Sequence, residues 1–271
     1  MTEVPPLDRV RGFVFDIDGT LVHRGPDGRA RPQPGAVDVL ERIRASGRRL
    51  VLFTNGSHVP SHLIASGLRE DGLPVADDEV LTPVDSATAY LLRRHRSSPL
   101  QLFGSQRVRD WMTDAGLTIT DGEDAGAVFI AHVDEIDFAS LERAARAVTA
   151  GAPLLTGSYV RGYAGANGII FSRGAMTTAA IAKASGARPR VLGKPSRAAL
   201  GEVSRRLGVE THDVAVIGDD LGMDIALGRM GGSTTVLVRS GISGNVVLDD
   251  VPPARRPDAA IDTVADLLDR L

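Results

Sequence analysis

The chain has 271 residues, 43% of them hydrophobic and 24% charged, with a formal net charge of -3 and no cysteine. That composition supports a large core in one or two domains and excludes disulfides, thiolate metal centres and thiol catalysis. The arginines are spread along the chain with no aromatic-rich platform between them, so no electrostatic footprint for nucleic acid is present. The first residues, Met1 to Pro6, carry neither the basic segment nor the apolar stretch of a signal peptide, and no apolar run nears membrane-spanning length. The expectation is a cytoplasmic protein acting on a small molecule, with no nucleic-acid or membrane partner.

In chain order, Phe13-Val14-Phe15 is a short apolar run that suits a strand buried on both faces, and it ends in Asp16 and Asp18, one residue apart, before the turn at Gly19. Four later segments repeat the pattern of an apolar strand running into turn or polar residues. Leu50 to Phe53 leads into Thr54-Asn55-Gly56-Ser57, and Val191-Leu192 into Gly193-Lys194-Pro195. Val214 to Ile217 leads into Gly218-Asp219-Asp220, and Thr235 to Val238 into Arg239-Ser240-Gly241. Helical patterns lie between them, for example Ala36 to Ala45 and Ser196 to Leu207, each closed by a glycine. Alternating strand and helix mean a parallel sheet wrapped by helices. The middle of the chain has its own strands (Leu100 to Phe103, Ala127 to Ile130, Pro153 to Leu155) and helices (Gln106 to Ala115, Phe138 to Ala150), but none of the polar strand ends. This is a second α/β domain inserted into the first: the core takes residues 1–83 and 186–271, the insert 84–185. Residues 251–257, with three prolines, read as an exposed loop before a last short strand and helix.

Open parallel sheets gather the carboxyl ends of their strands on one edge, so Asp16, Asp18, Thr54, Lys194, Asp219 and Asp224 can converge. Together they suit phosphate chemistry. Mg²⁺ held by aspartate oxygens would neutralise an anionic monoester. Thr54 offers a hydroxyl, and Gly56 lets backbone N–H groups come close to phosphoryl oxygens; with Asn55 they form the substrate-binding candidates of the second motif. Attack by Asp16 would form an aspartyl-phosphate, and Asp18 would serve as general acid and then base. Lys194 is one of only two lysines among 31 basic residues, which points to a site wanting a compact ammonium. Taken singly these segments also read as ordinary turns, or, for Asp219, Asp220 and Asp224, as acidic residues at a helix start. Their joint occurrence in this order favours a site.

The order D-I-D-G-T-L, T-N-G-S, G-K-P, G-D-D-L-G-M-D resembles the four motifs of the haloacid dehalogenase superfamily. The inserted domain is similar to the α/β (type IIA) cap of its para-nitrophenyl phosphatase-like branch. The resemblance implies a Rossmann-like core, Mg²⁺ dependence and a phosphatase with Asp16 as nucleophile. It further implies Asp16, Asp18 and Asp219 as metal ligands, with Asp18 acting through its main-chain carbonyl, and Asp224 in support; Asp220 beside them is a further supporting candidate. Thr54 and Lys194 would hold the phosphoryl group. Cap-mediated dimers occur in that branch, so a homodimer is one expectation.

Between Tyr159 and Ser172, Arg161, Tyr163 and Asn167 stand among glycines 162, 165 and 168, a loop suited to hold a second anionic group of the substrate, with Arg161 as its candidate; a packing loop is the alternative. His132, Asp134 and Asp137 follow no metal-site spacing and read as a solvated loop. Trp111 reads as packing on an amphipathic helix. A phosphotransferase or mutase would use the same Asp16, and a non-catalytic phosphometabolite-binding protein would keep the fold without the chemistry.

Overall fold

The computed structural model describes residues 5–165 and 168–271, with the backbone alone for 163–165, 168 and 169. The chain runs through β1 (Gly12–Phe15), β2 (Val22–Arg24), β3 (Ala30–Pro32), α1 (Ala36–Ala45), β4 (Arg49–Phe53), α2 (Ser61–Glu70) and β5 (Val80–Leu81). Next come α3 (Pro83–Arg94), β6 (Leu100–Phe103), α4 (Gln106–Asp114), β7 (Ala127–Ile130), α5 (Phe138–Thr149), β8 (Leu154–Thr156), β9 (Gly162–Gly165), β10 (Gly168–Phe171), α6 (Arg173–Ser185) and β11 (Arg190–Val191). It closes with α7 (Arg197–Leu207), β12 (Val214–Gly218), a π-helical turn Leu221–Ile225, α8 (Ala226–Gly231), β13 (Thr234–Val238), β14 (Ala259–Ile261) and a 3₁₀ segment Val264–Arg270. Among the described residues no helix is long and apolar enough to cross a membrane.

Two compact units result. The first comprises Met1–Thr54, Ser61–Leu81 and Pro195–Leu271, and the second Asn55–Pro60 and Thr82–Lys194. In the first, six parallel strands stand in the order β14-β13-β12-β1-β4-β5. The side-chain alternation of a strand sorts its residues to two faces. Phe13 and Phe15, Leu50 and Leu52, and Ala215 and Ile217 share one core with residues of α1 and α2. Val14, Val51, Phe53, Val214 and Val216 share the other with Ala199, Val203 and Leu207 of α7 and Leu227 of α8. With both faces covered, the central strands are apolar without interruption, which is why the sequence reads them as runs.

The second unit holds a parallel four-stranded sheet, β11-β8-β7-β6, and the antiparallel pair β9–β10. Val128 and Ile130 of β7 pack with Ala144, Ala147 and Val148 of α5 and Ile181 of α6. Its helices start where short polar side chains take up exposed N–H groups: Thr82 accepts from Asp85, Ser105 from Val108, Asp137 from Ser140 and Ser172 from Ala175.

Three expectations change. Val191 does not extend the core sheet; it pairs with Thr156 of β8, so the chain stays in the inserted unit to Lys194 and not only to residue 185. Two residues are too few to show a period, so sequence assigned that strand by its neighbours alone. Residues 55–60 also belong to the inserted unit, where Ser105 Oγ donates to the His58 carbonyl at 2.8 Å and the His132 N–H to that of Ser57 at 3.4 Å. Third, the glycine-rich stretch after Tyr159 is largely strand, in β9 and β10.

Phe13 is fully buried on β1, with the Arg48 guanidinium 4.9 Å from its ring centroid. Phe13→Ala should cost about 3–5 kcal/mol; a urea-midpoint change equivalent to less than about 1 kcal/mol would contradict this account of the core.

Candidate active site

The first unit's sheet reverses direction of growth at β1: β4, the next long strand, lies on one side, and β12, from the far end of the chain, on the other. Such a switch point opens a crevice at the strand carboxyl ends. Phe15 is in register with Ile217, and the Asp16 N–H donates to the Ile217 carbonyl at 2.9 Å, so Asp16 leaves β1 beside the end of β12, where Asp219 follows Gly218. The π-helical turn then returns Asp224 toward the strand end. Asp16, Asp219 and Asp224 each offer a carboxylate oxygen within 4.8 Å of the others. Asp219 and Asp224 are buried, 6% and 2% exposed.

Main-chain donors and missing side chains make room for this charge. The Ile242 N–H donates to Asp219 Oδ2 at 2.7 Å, and the Asp220 N–H to Asp224 Oδ2 at 3.1 Å. A Cβ at Gly19, where φ is +87°, would stand 2.5 Å from Asp219 Oδ2; one at Gly241 would stand 1.8 Å from it, and one at Gly218 would stand 2.3 Å from the Asp224 carboxyl. Glycine is required at 19 by conformation and at all three by space. Oxygen donors without sulfur or imidazole suit a hard divalent cation.

Asp18 lies elsewhere. It is exposed, and its Oδ1 accepts from Arg24 Nε at 2.6 Å. The gathered carboxylates are those of Asp16, Asp219 and Asp224; the metal contact expected of Asp18 is through its main-chain carbonyl. Asp220 was expected in support: its Oδ1 accepts the Gly222 and Met223 N–H groups at 2.6 and 3.2 Å, capping the π-helical turn on the backbone that carries Asp224. Thr54 ends β4 with its N–H on the Leu81 carbonyl at 3.2 Å.

In the second unit, Asn55 was expected on substrate. Its amide instead spans the main chain of Lys194: Oδ1 accepts the Lys194 N–H at 2.8 Å, and Nδ2 donates to the Lys194 carbonyl at 2.9 Å. Asn55 thus positions the lysine. Gly193 permits this approach, since a Cβ there would meet the Gly157 carbonyl at 2.4 Å and Asn55 Oδ1 at 2.7 Å. Lys194 is only 2% exposed, and an ammonium so buried calls for anionic or strongly polar company. Gly56 follows Asn55 in the same loop.

Arg161 is exposed, with its guanidinium 5.5 Å from the Phe171 ring centroid. The Tyr163 side chain and Asn167 lie outside the described residues. His132 pairs with Asp134 at 3.2 Å and Asp137 caps α5, while the only group of three metal-competent side chains among the described residues is the aspartate trio. Trp111 is half-buried on α4. Sequence reasoning passed over Arg24, and it named Arg239-Ser240-Gly241 as a polar strand end without giving that loop a part in the site.

A model of the haloacid dehalogenase-like hydrolases matches residues 13–118, and a second model of haloacid dehalogenase-like hydrolases matches residues 191–267, so the two take in both aspartate motifs. The chain belongs to the haloacid dehalogenase-like hydrolases. The enzyme class, phosphoric monoester hydrolase, rests on the relatives that follow, each of them a phosphatase by name. The chain is 29% identical over 261 residues to the ribonucleotide monophosphatase NagD of Escherichia coli, covering 95% of this chain and 98% of that one. It is 25% identical over 249 residues to an acid sugar phosphatase of Staphylococcus epidermidis, covering 91% and 94%. The p-nitrophenyl phosphatase of Archaeoglobus fulgidus superposes with a TM-score of 0.85 at 26% identity, over 97% of this chain and 99% of that one.

For this haloacid dehalogenase-like enzyme the crowding at Asp219 is open to test. Gly241 has no positive φ, so Gly241→Ala probes the contact alone. It should raise the divalent-cation concentration for half-maximal activity by about tenfold or more with little change in the unfolding midpoint. An unchanged cation requirement would contradict the crowding.

Proposed function

We propose that the chain is a Mg²⁺-dependent phosphatase that hydrolyses a small phosphorylated metabolite through an aspartyl-phosphate on Asp16. The observation that carries this is the gathering of Asp16, Asp219 and Asp224, from two strand ends far apart in sequence, within 4.8 Å. Asp16 and Asp219 would hold the cation, with the main-chain carbonyl of Asp18 as the family resemblance implies and Asp224 in support. When bound, the ion supplies the positive charge that lets a carboxylate approach an anionic ester.

Asp16 forms a bond to phosphorus as the bond to the leaving oxygen breaks, and the Asp18 carboxylic acid gives that oxygen its proton. The Asp18 carboxylate then takes a proton from water, whose oxygen attacks phosphorus. The bond from phosphorus to Asp16 breaks, phosphate leaves, and both aspartates return to their starting forms. Lys194 is assigned to a phosphoryl oxygen as a compact point charge, and Thr54 and Gly56 to hydrogen bonds on the same group. Two of the relatives named above carry different activities in their names, ribonucleotide monophosphatase and acid sugar phosphatase, so the assignment of substrate stays at the class of small monoesters.

Asp16→Asn should abolish turnover with the fold retained, and acid-quenched parent enzyme given labelled substrate should carry label that the variant lacks. Substantial turnover by a clean Asp16→Asn preparation would remove Asp16 as nucleophile. Lys194→Arg, equal in charge but wider, should lose about tenfold or more in kcat/KM. Parent-like kinetics would discard the point-charge role.

A further inference from the structure

The segment that follows the first motif carries a group for which the proposed chemistry has no use so far. After Asp18 the chain turns back on itself: the Gly19 N–H donates to the Val22 carbonyl at 2.8 Å, and the Leu21 and Val22 N–H groups to that of Ile17 at 2.9 and 3.0 Å. β2 then pairs antiparallel with β3, and Arg24 stands opposite Ala30. Asp71 holds that partner strand in place, accepting the Ala30 N–H at 2.7 Å and Arg29 Nε at 2.8 Å. The Ala30 N–H, followed by Arg29, keeps the Asp71 carboxyl below its ordinary value, so this anchor remains ionised at neutral pH.

From that fixed strand Arg24 reaches back, its Nε donating to Asp18 Oδ1 at 2.6 Å and its Nη1 to the Gly28 carbonyl at 3.4 Å. Both side chains of the pair are about half exposed, and an ion pair in that setting adds little to stability. It does fix an orientation. A carboxylate gripped at Oδ1 has one oxygen left for a proton, and no described residue bonds Asp18 Oδ2.

We propose that Arg24 is a positioning residue that holds Asp18 by Oδ1 so that Oδ2 is the atom that carries the proton to and from the reacting oxygen. This rests on the assignment of Asp18 as acid and base. Geometry at the proton donor matters most when the leaving oxygen is basic and least when it departs readily as an anion.

The test compares kcat/KM, which reports on the first phosphoryl transfer, for two esters: para-nitrophenyl phosphate, whose leaving group needs no proton, and an alkyl monoester turned over by the parent, glycerol 3-phosphate in the first instance. Arg24→Ala should lose about tenfold or more on the alkyl ester and less than about twofold on the aryl ester, with Arg24→Lys restoring part of the loss and the unfolding midpoint almost unchanged. An equal loss on both esters, or no loss on either, would overturn the proposal. Asp18→Asn in parallel separates the two assignments. If it shows no ester dependence, the acid role of Asp18 fails. If Asp18→Asn shows ester dependence and Arg24→Ala does not, the role of Arg24 alone fails.

Discussion

Three carboxylates whose oxygens lie within 4.8 Å of one another, two of them buried, are the constraint around which the first unit is built. At about 5 Å and an effective dielectric of about 20, each like-charge pair opposes the fold by about 3 kcal/mol. Main-chain N–H groups of Ile242 and Asp220 offset part of that repulsion, and a divalent cation would reverse its sign. Acidic crowding of this kind is unstable as packing and sensible as a receptor for positive charge.

The topology follows from bringing those groups together. Asp16 and Asp219 are adjacent because β1 and β12 are neighbours in register, and β12 is delivered only after the chain has built the inserted unit. Uninterrupted burial of the central strands supplies the rigidity to hold like charges close, while the glycines at 19, 218 and 241 give up side chains so that the carboxylates have somewhere to be. Within the second unit a similar economy operates: one asparagine amide orders the peptide on either side of Lys194.

Much of this was legible beforehand, for identifiable reasons. Strands buried on both faces appear in sequence as apolar runs, so Phe13 to Phe15 and Val214 to Ile217 were plain, and charge placed where such a run ends marks the site. The end of the inserted unit was not legible, because Arg190–Val191 is too short to carry a period and its partner β8 lies some 35 residues earlier. Side-chain direction was hidden as well. Asp18 and Asp224 are equally acidic in sequence, yet an arginine six residues on engages the first, and a π-helical turn directs the second back to the strand end. Likewise nothing in Thr54-Asn55-Gly56 reveals that the amide is spent on a residue 139 positions away.

The grip of Asn55 on Lys194 also bears on how this protein ages. Asn55 precedes Gly56, and with no Cβ in the way the glycine nitrogen can attack the asparagine side-chain carbonyl, closing a succinimide and releasing ammonia. Two hydrogen bonds hold that amide on the Lys194 peptide, so the folded chain resists the closure that an unfolded one allows. Once hydrolysis of the ring leaves an acid, the donor facing the Lys194 carbonyl becomes an acceptor and the two oxygens repel. Chemical wear at this amide would thus silence the lysine's loop while the hydrophobic cores stayed intact.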